Sequence, residues 1–150
     1  AGVLSLRRAL AAAPSPRERP EPDDDPWTVR AAPAFLPEGA DSATADATLL
    51  PSVDPSDAYR VPLRAGRTIR VEVEGRASGM DPDIWVWRPG TPCRLAAVRP
   101  ADLRNWRVAA AVSAGTSERL EFTAPATGVY TVEVRINAVG GPYRITTTRS

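Results

Sequence analysis

Residues 67–74 read RTIRVEVE: Ile69, Val71 and Val73 alternate with Arg70, Glu72 and Glu74. A period of two puts one set of side chains on each side of an extended chain, so this stretch is a strand with one apolar and one charged face. Working outward, residues 57–64 (DAYRVPLR) place Tyr59, Val61 and Leu63 on one face. Pro62 within that run points to an edge or a bulge, since it cannot donate to a ladder. Ala65-Gly66 is a tight turn, and the two runs it joins are expected to form a hairpin.

The same grammar continues in both directions. Residues 47–50 read as a short strand, and 83–87 (DIWVW) as another, closed by Pro89-Gly90. Residues 94–98 and 107–112 are weaker strands flanking a loop that carries Trp106. In 118–123 Leu120 and Phe122 point inward. Tyr130, Val132, Val134 and Ile136 do so in 129–137, and Tyr143, Ile145 and Thr147 in 143–149. About eight short strands, each with one apolar face and bounded by Gly, Pro or Asp, call for two antiparallel sheets packed face to face. The fold class is all-β, a jelly-roll-like β-sandwich over residues 47–150.

The first third differs. Residues 1–13 carry Val3, Leu6 and Leu10 on one stripe and read as a short N-terminal helix stopped by Pro14 and Pro16. Residues 14–46 are a Pro-rich, acidic linker and lead-in, in which Trp27, Phe35 and Leu36 are anchors for the side of the sandwich.

Composition excludes several functions. The 150 residues contain no histidine and one cysteine, Cys93. The usual general base, the centre of a Ser-His-Asp triad, an intramolecular disulfide and a Cys-based zinc site are therefore all missing. The net charge of +1 gives no global field for nucleic acid, and no apolar run approaches the length of a membrane span.

Two groups of residues are candidates for binding. Trp85 and Trp87 share one face of their strand. With Ile84 and Val86 in the core, the indoles point outward, where together with Trp106 they could hold a polypeptide or polysaccharide. The alternative is that the pair is covered, by the Trp106 loop or by arginine stems from neighbouring strands. Glu21, Asp23, Asp24 and Asp25 in the linker, and Asp81 and Asp83 at the mouth of a strand, are candidate calcium ligands, because calcium gathers loop carboxylates. The alternative is a solvated linker and an Asp-Pro-Asp turn. No cofactor is required by either reading.

Four stretches carry a resemblance to a known family: DAYRVPLRAG (57–66) with the strand after it, DPDIWVWRPG (81–90), ERLEFTAP (118–125), and TGVYTVEV (127–134) leading to GPYRI (141–145). In order and spacing they resemble the bacterial pre-peptidase C-terminal domain, a module at the ends of secreted peptidases. GVLSLRRAL (2–10) is similar to the closing helix of a subtilisin-like serine peptidase, and EPDDD (21–25) to the acidic segment that leads into such modules. The resemblance implies a non-catalytic accessory module of a secreted, extracellular bacterial peptidase, with the peptidase domain upstream in the same chain as its partner. In some relatives the acidic lead-in binds calcium.

Overall fold

The computed structural model describes residues 26, 28–92 and 103–150. The expected helix at 1–13, Trp27, Cys93, the strand expected at 94–98 and the acidic residues Glu21, Asp23, Asp24 and Asp25 lie outside these residues.

A 3-10 turn at Thr28–Ala31 precedes strands β1 (Ser42–Leu49), β2 (Ser56–Leu63), β3 (Thr68–Gly75), β4 (Pro82–Trp87), β5 (Arg107–Ala111), β6 (Ser117–Thr123), β7 (Gly128–Ile136) and β8 (Gly141–Arg149). They form two four-stranded antiparallel sheets, ordered β1-β8-β3-β6 and β2-β7-β4-β5. The all-β sandwich read from the alternation is the fold observed. Ile69, Val71 and Val73 of β3 are buried, as are Tyr59, Val61 and Leu63 of β2, and Tyr130, Val132, Val134 and Ile136 of β7. Each such side chain contributes about 1.5–3 kcal/mol on leaving water, which is why strict alternation fixes which face of a strand turns inward.

Two expectations are corrected. The runs joined at Ala65-Gly66 are not a hairpin: β2 pairs with β7, and β3 pairs with β6 and β8. Gly66, at φ +80°, turns the chain from one sheet into the other, and its N–H donates to the carbonyl of Ala124 instead of closing a two-stranded turn. Both runs present an apolar face, and they bury those faces against each other across the sandwich rather than side by side. The strand expected at 47–50 is the end of a longer one starting at Ser42, because Ala43, Ala45 and Ala47 pack on the core from small side chains that leave only a faint alternation.

The lead-in is tied to the sandwich. Leu36 is fully buried in the core and the ring of Phe35 lies 4.8 Å from that of Tyr59. The Phe35 N–H donates to the carbonyl of Arg60, which occupies part of the free edge of β2. Pro62 lies on that same edge strand, where a missing donor costs little. From the end of β8, the Arg149 guanidinium donates to the carbonyls of Ala40 (2.6 Å), Pro37 (3.1 Å) and Pro62 (3.1 Å).

The outer face of the β1-β8-β3-β6 sheet is a polar lattice. Arg70 faces Glu121 (2.8 Å), Arg119 faces Glu72 (3.7 Å) and Arg144 faces Asp46 (2.8 Å). Thr44–Thr146 and Thr68–Thr123 form hydroxyl pairs. These are directly opposed residues in the register, each pair adding tenths of a kcal/mol while keeping the face wet.

Candidate functional site: the tryptophan–arginine face

The outer face of the β2-β7-β4-β5 sheet has a different character. Its register sets three rows of side chains across the strands. Ser56, Arg135 and Asp83 form one; Ala58, Glu133, Trp85 and Ala110 the next; Arg60, Thr131, Trp87 and Arg107 the third. Ile84 and Val86 are fully buried in the core, so Trp85 and Trp87 point away from it, as the alternation of 83–87 requires.

The two indoles have different fates. Trp87 is only 2% exposed, and its Nε1–H donates to Oε2 of Glu133 at 2.6 Å. Glu133 is itself fully buried, so this outward position holds a buried side-chain hydrogen bond. Trp85 is half-buried, packed edge-on against Trp87 at 5.7 Å, with the guanidiniums of Arg135 (4.2 Å) and Arg107 (4.6 Å) over its ring. These arginines come from the strands on either side of β4, and their guanidiniums cover the ring of Trp85. Trp106, half-buried, stacks with Arg88 at 4.2 Å and makes no ring contact with the other two. The three tryptophans thus do not make one continuous exposed platform. The Nε1–H of Trp85 is a buried donor with no acceptor among the described residues.

Asp83 stands on this face opposite Arg135 and is buried. Burial raises its pKa above the ordinary carboxylate value. The Asn137 amide donating at 3.2 Å opposes that shift, neighbouring Asp81 adds to it, and Arg135 opposes it. Asp81 accepts the N–H of Gly115 at 2.8 Å and so pins the turn between β5 and β6. Among the described residues no group of three or more His, Cys, Asp or Glu converges as a metal-binding cluster.

Glu133 was not legible as a site residue. In TVEVRI it sits where an alternating strand sends a solvated charge, and only the pairing of β7 with β4 puts Trp87 within reach. Arg60 and Arg88 were equally silent, because in a chain whose basic residues are all arginine no single one stands out.

Solved structures with the same fold place the chain among small β-sandwiches. A periplasmic inhibitor of g-type lysozyme from Aeromonas hydrophila superposes with a TM-score of 0.54 at 19% identity, covering 76% of this chain and 90% of that one. The pre-peptidase C-terminal domain of a Bacillus anthracis collagenase gives 0.51 at 18% identity, over 71% and 89%. The surface-associated copper-binding protein CorA of Methylomicrobium album BG8 gives 0.52 at 14%, over 78% and 97%. No protein-family profile and no curated protein sequence matches the chain. At these identities what is shared is the fold, a two-sheet antiparallel sandwich.

Proposed function

We propose that the chain is a non-catalytic accessory module of a secreted peptidase, of the pre-peptidase C-terminal type, serving the stability, export or substrate targeting of a catalytic domain upstream. The observation that carries this reading is positional. The four stretches of the resemblance fall on β2–β3, β4, β6 and β7–β8, the strands that build the sandwich, and a collagenase module of that type shares the fold. The absence of histidine from the sequence agrees with a role without acid–base catalysis. The periplasmic and surface-associated fold neighbours support a location outside the cytoplasm.

The test starts upstream in the reading frame, where the proposal requires a peptidase domain, subtilisin-like in keeping with the similarity of residues 2–10. Deleting residues 26–150 from that parent is then expected to lower its secreted yield or its melting temperature. A frame without a peptidase overturns the reading.

A second reading, a binding module for protein or carbohydrate, is favoured by the half-buried ring of Trp85, whose N–H finds no acceptor among the described residues. Trp85→Ala combined with Trp106→Ala is expected to abolish retention on an immobilised polypeptide or polysaccharide; unchanged retention refutes it. Trp87 is left intact in that experiment because it holds Glu133. Calcium remains a proposal for Asp81 and Asp83 with the acidic lead-in; burial raises the pKa of Asp83 first, and the neighbouring Asp81 charge adds to it. It predicts a melting temperature that rises on adding calcium and falls with a chelator.

A further inference from the structure

Elsewhere on the surface, arginines meet carboxylates: Arg70 with Glu121, Arg119 with Glu72, Arg144 with Asp46, Arg64 with Glu38. On the tryptophan–arginine face the pairing changes. Arg60 of β2 donates through Nη1 to the carbonyl of Ala32, and Arg88, just past β4, lies over the ring of Trp106. Both partners are uncharged, so among the described residues neither positive charge is neutralised by contact. Together with Arg30 of the 3-10 turn, these two side chains line a cleft of about 290 Å³ whose walls include Thr91, Val129 and Thr131. Three separate elements thus deliver a guanidinium to one small space.

Among the described residues no carboxylate lines the cleft. The two acids of the neighbouring sheet face, Asp83 and Glu133, are buried, with Asn137 and Trp87 bonded to them. The root of Arg88 is held in place: Thr91 donates both its N–H (3.3 Å) and its hydroxyl (2.7 Å) to the Arg88 carbonyl, and the Arg88 N–H donates to the carbonyl of Trp106. A pre-positioned planar guanidinium fork suits an oxyanion better than a mobile ammonium does, because less freedom is lost on binding. At about 290 Å³ the cleft is at the small end of sites that enclose whole ligands. Its guanidiniums suit an oxyanion, and the apolar side of Val129 beside them suits a carboxylate on a short aliphatic stem.

We propose that this arginine cleft is a binding site for a carboxylate of an acidic polypeptide segment. Arg60 and Arg88 provide the fork, and the side of Val129 receives the aliphatic stem. This site is separate from the Trp85 ring and does not rest on the accessory-module reading.

Fluorescence anisotropy with a labelled, end-blocked Glu-rich hexapeptide tests it, with the Gln-substituted peptide as control. Expected are saturable binding of the Glu peptide only, weakening as salt is raised, and a loss of about tenfold or more in affinity in Arg60→Gln/Arg88→Gln. Because Arg60 also bonds the lead-in, Arg88→Gln alone is measured with its melting curve; it should lose affinity without losing the fold. Glu21, Asp23, Asp24 and Asp25 lie within five residues of Pro26 in the sequence and could compete at high effective concentration. A companion chain carrying Gln and Asn at those four positions is assayed beside the native one, and binding by either supports the proposal. It is overturned if neither binds, if the Gln peptide binds equally, or if Arg88→Gln and the double variant bind undiminished. Tighter binding of inorganic phosphate or of an oligothymidylate of equal charge also overturns it, by assigning the cleft to phosphate chemistry.

Discussion

Tyr143 carries its hydroxyl into the middle of the core, where it donates to Oδ2 of Asp57 and pairs with the hydroxyl of Tyr59, all three residues being buried. Burial, then the nearby Tyr59 and Asp57, push its pKa well above the ordinary 10.0. The folded chain therefore holds this proton more tightly than the unfolded chain does. Its contribution is intact below pH 10 and is lost as pH rises beyond that, where the unfolded state sheds the proton first. Urea unfolding of the native chain is expected to show stability falling as the pH rises above 10. Tyr143→Phe should flatten that fall and cost about 1–3 kcal/mol at neutral pH, because Asp57 loses a buried donor. An equally steep alkaline fall in the variant would place its cause elsewhere. Trp87→Phe tests the other buried carboxylate: it removes the donor to Glu133 and is expected to cost about 1–3 kcal/mol at pH 7. A cost near zero would mean that this bond contributes nothing net.

Between strands, the decisive element is the connection from β7 to β8. A Cβ built on Gly140 would stand 2.2 Å from the carbonyl oxygen of Leu49, backbone that cannot swing aside. Gly140→Ala is therefore expected to destabilise by about 1–3 kcal/mol, with disturbed pairing of β1 and β8, where Leu49 opposes Gly141. At Gly66 the surroundings are open and only the positive φ opposes a side chain, so Gly66→Ala should cost about 1 kcal/mol. Thermal melts of the two variants rank them, and the reverse order would contradict the register. Gly66 also marks where reading by elements failed. A two-residue turn between alternating runs has the form of a hairpin whether the strands end as neighbours or as opposite walls, because the local rule says nothing about which apolar faces meet.

For the whole molecule, the lead-in and the last strand close the sandwich together. Arg149 gathers carbonyls of the lead-in and of β2, and Phe35 bonds the edge of β2, so the sandwich is larger than its eight strands. Arg149→Met should free this clamp, speeding hydrogen exchange at the Phe35 amide and costing about 1–2 kcal/mol, while the exchange of β7 amides stays slow. Equal acceleration throughout would mean that the lead-in is inseparable from the core. The two outer faces also differ as wholes. One is a wet lattice of directly opposed charges; the other combines buried tryptophan, buried carboxylate and arginines matched to neutral partners.

The sequence by itself determined the all-β class, the inward face of each described strand and the outward turn of Trp85 and Trp87, because alternation is a local property and burial of Val, Ile and Leu outweighs any competing preference. Tertiary structure alone decided which strands are neighbours, that β2 and β3 lie in different sheets, and that Trp87 is sealed while Trp85 is only covered. It also brought Glu133 beneath an indole and Arg60 beside Arg88. These outcomes depend on pairings between residues tens of positions apart, and no period along the chain encodes them. RTIRVEVE named the sheet; the partners on either side of it came from the packing of two sheets.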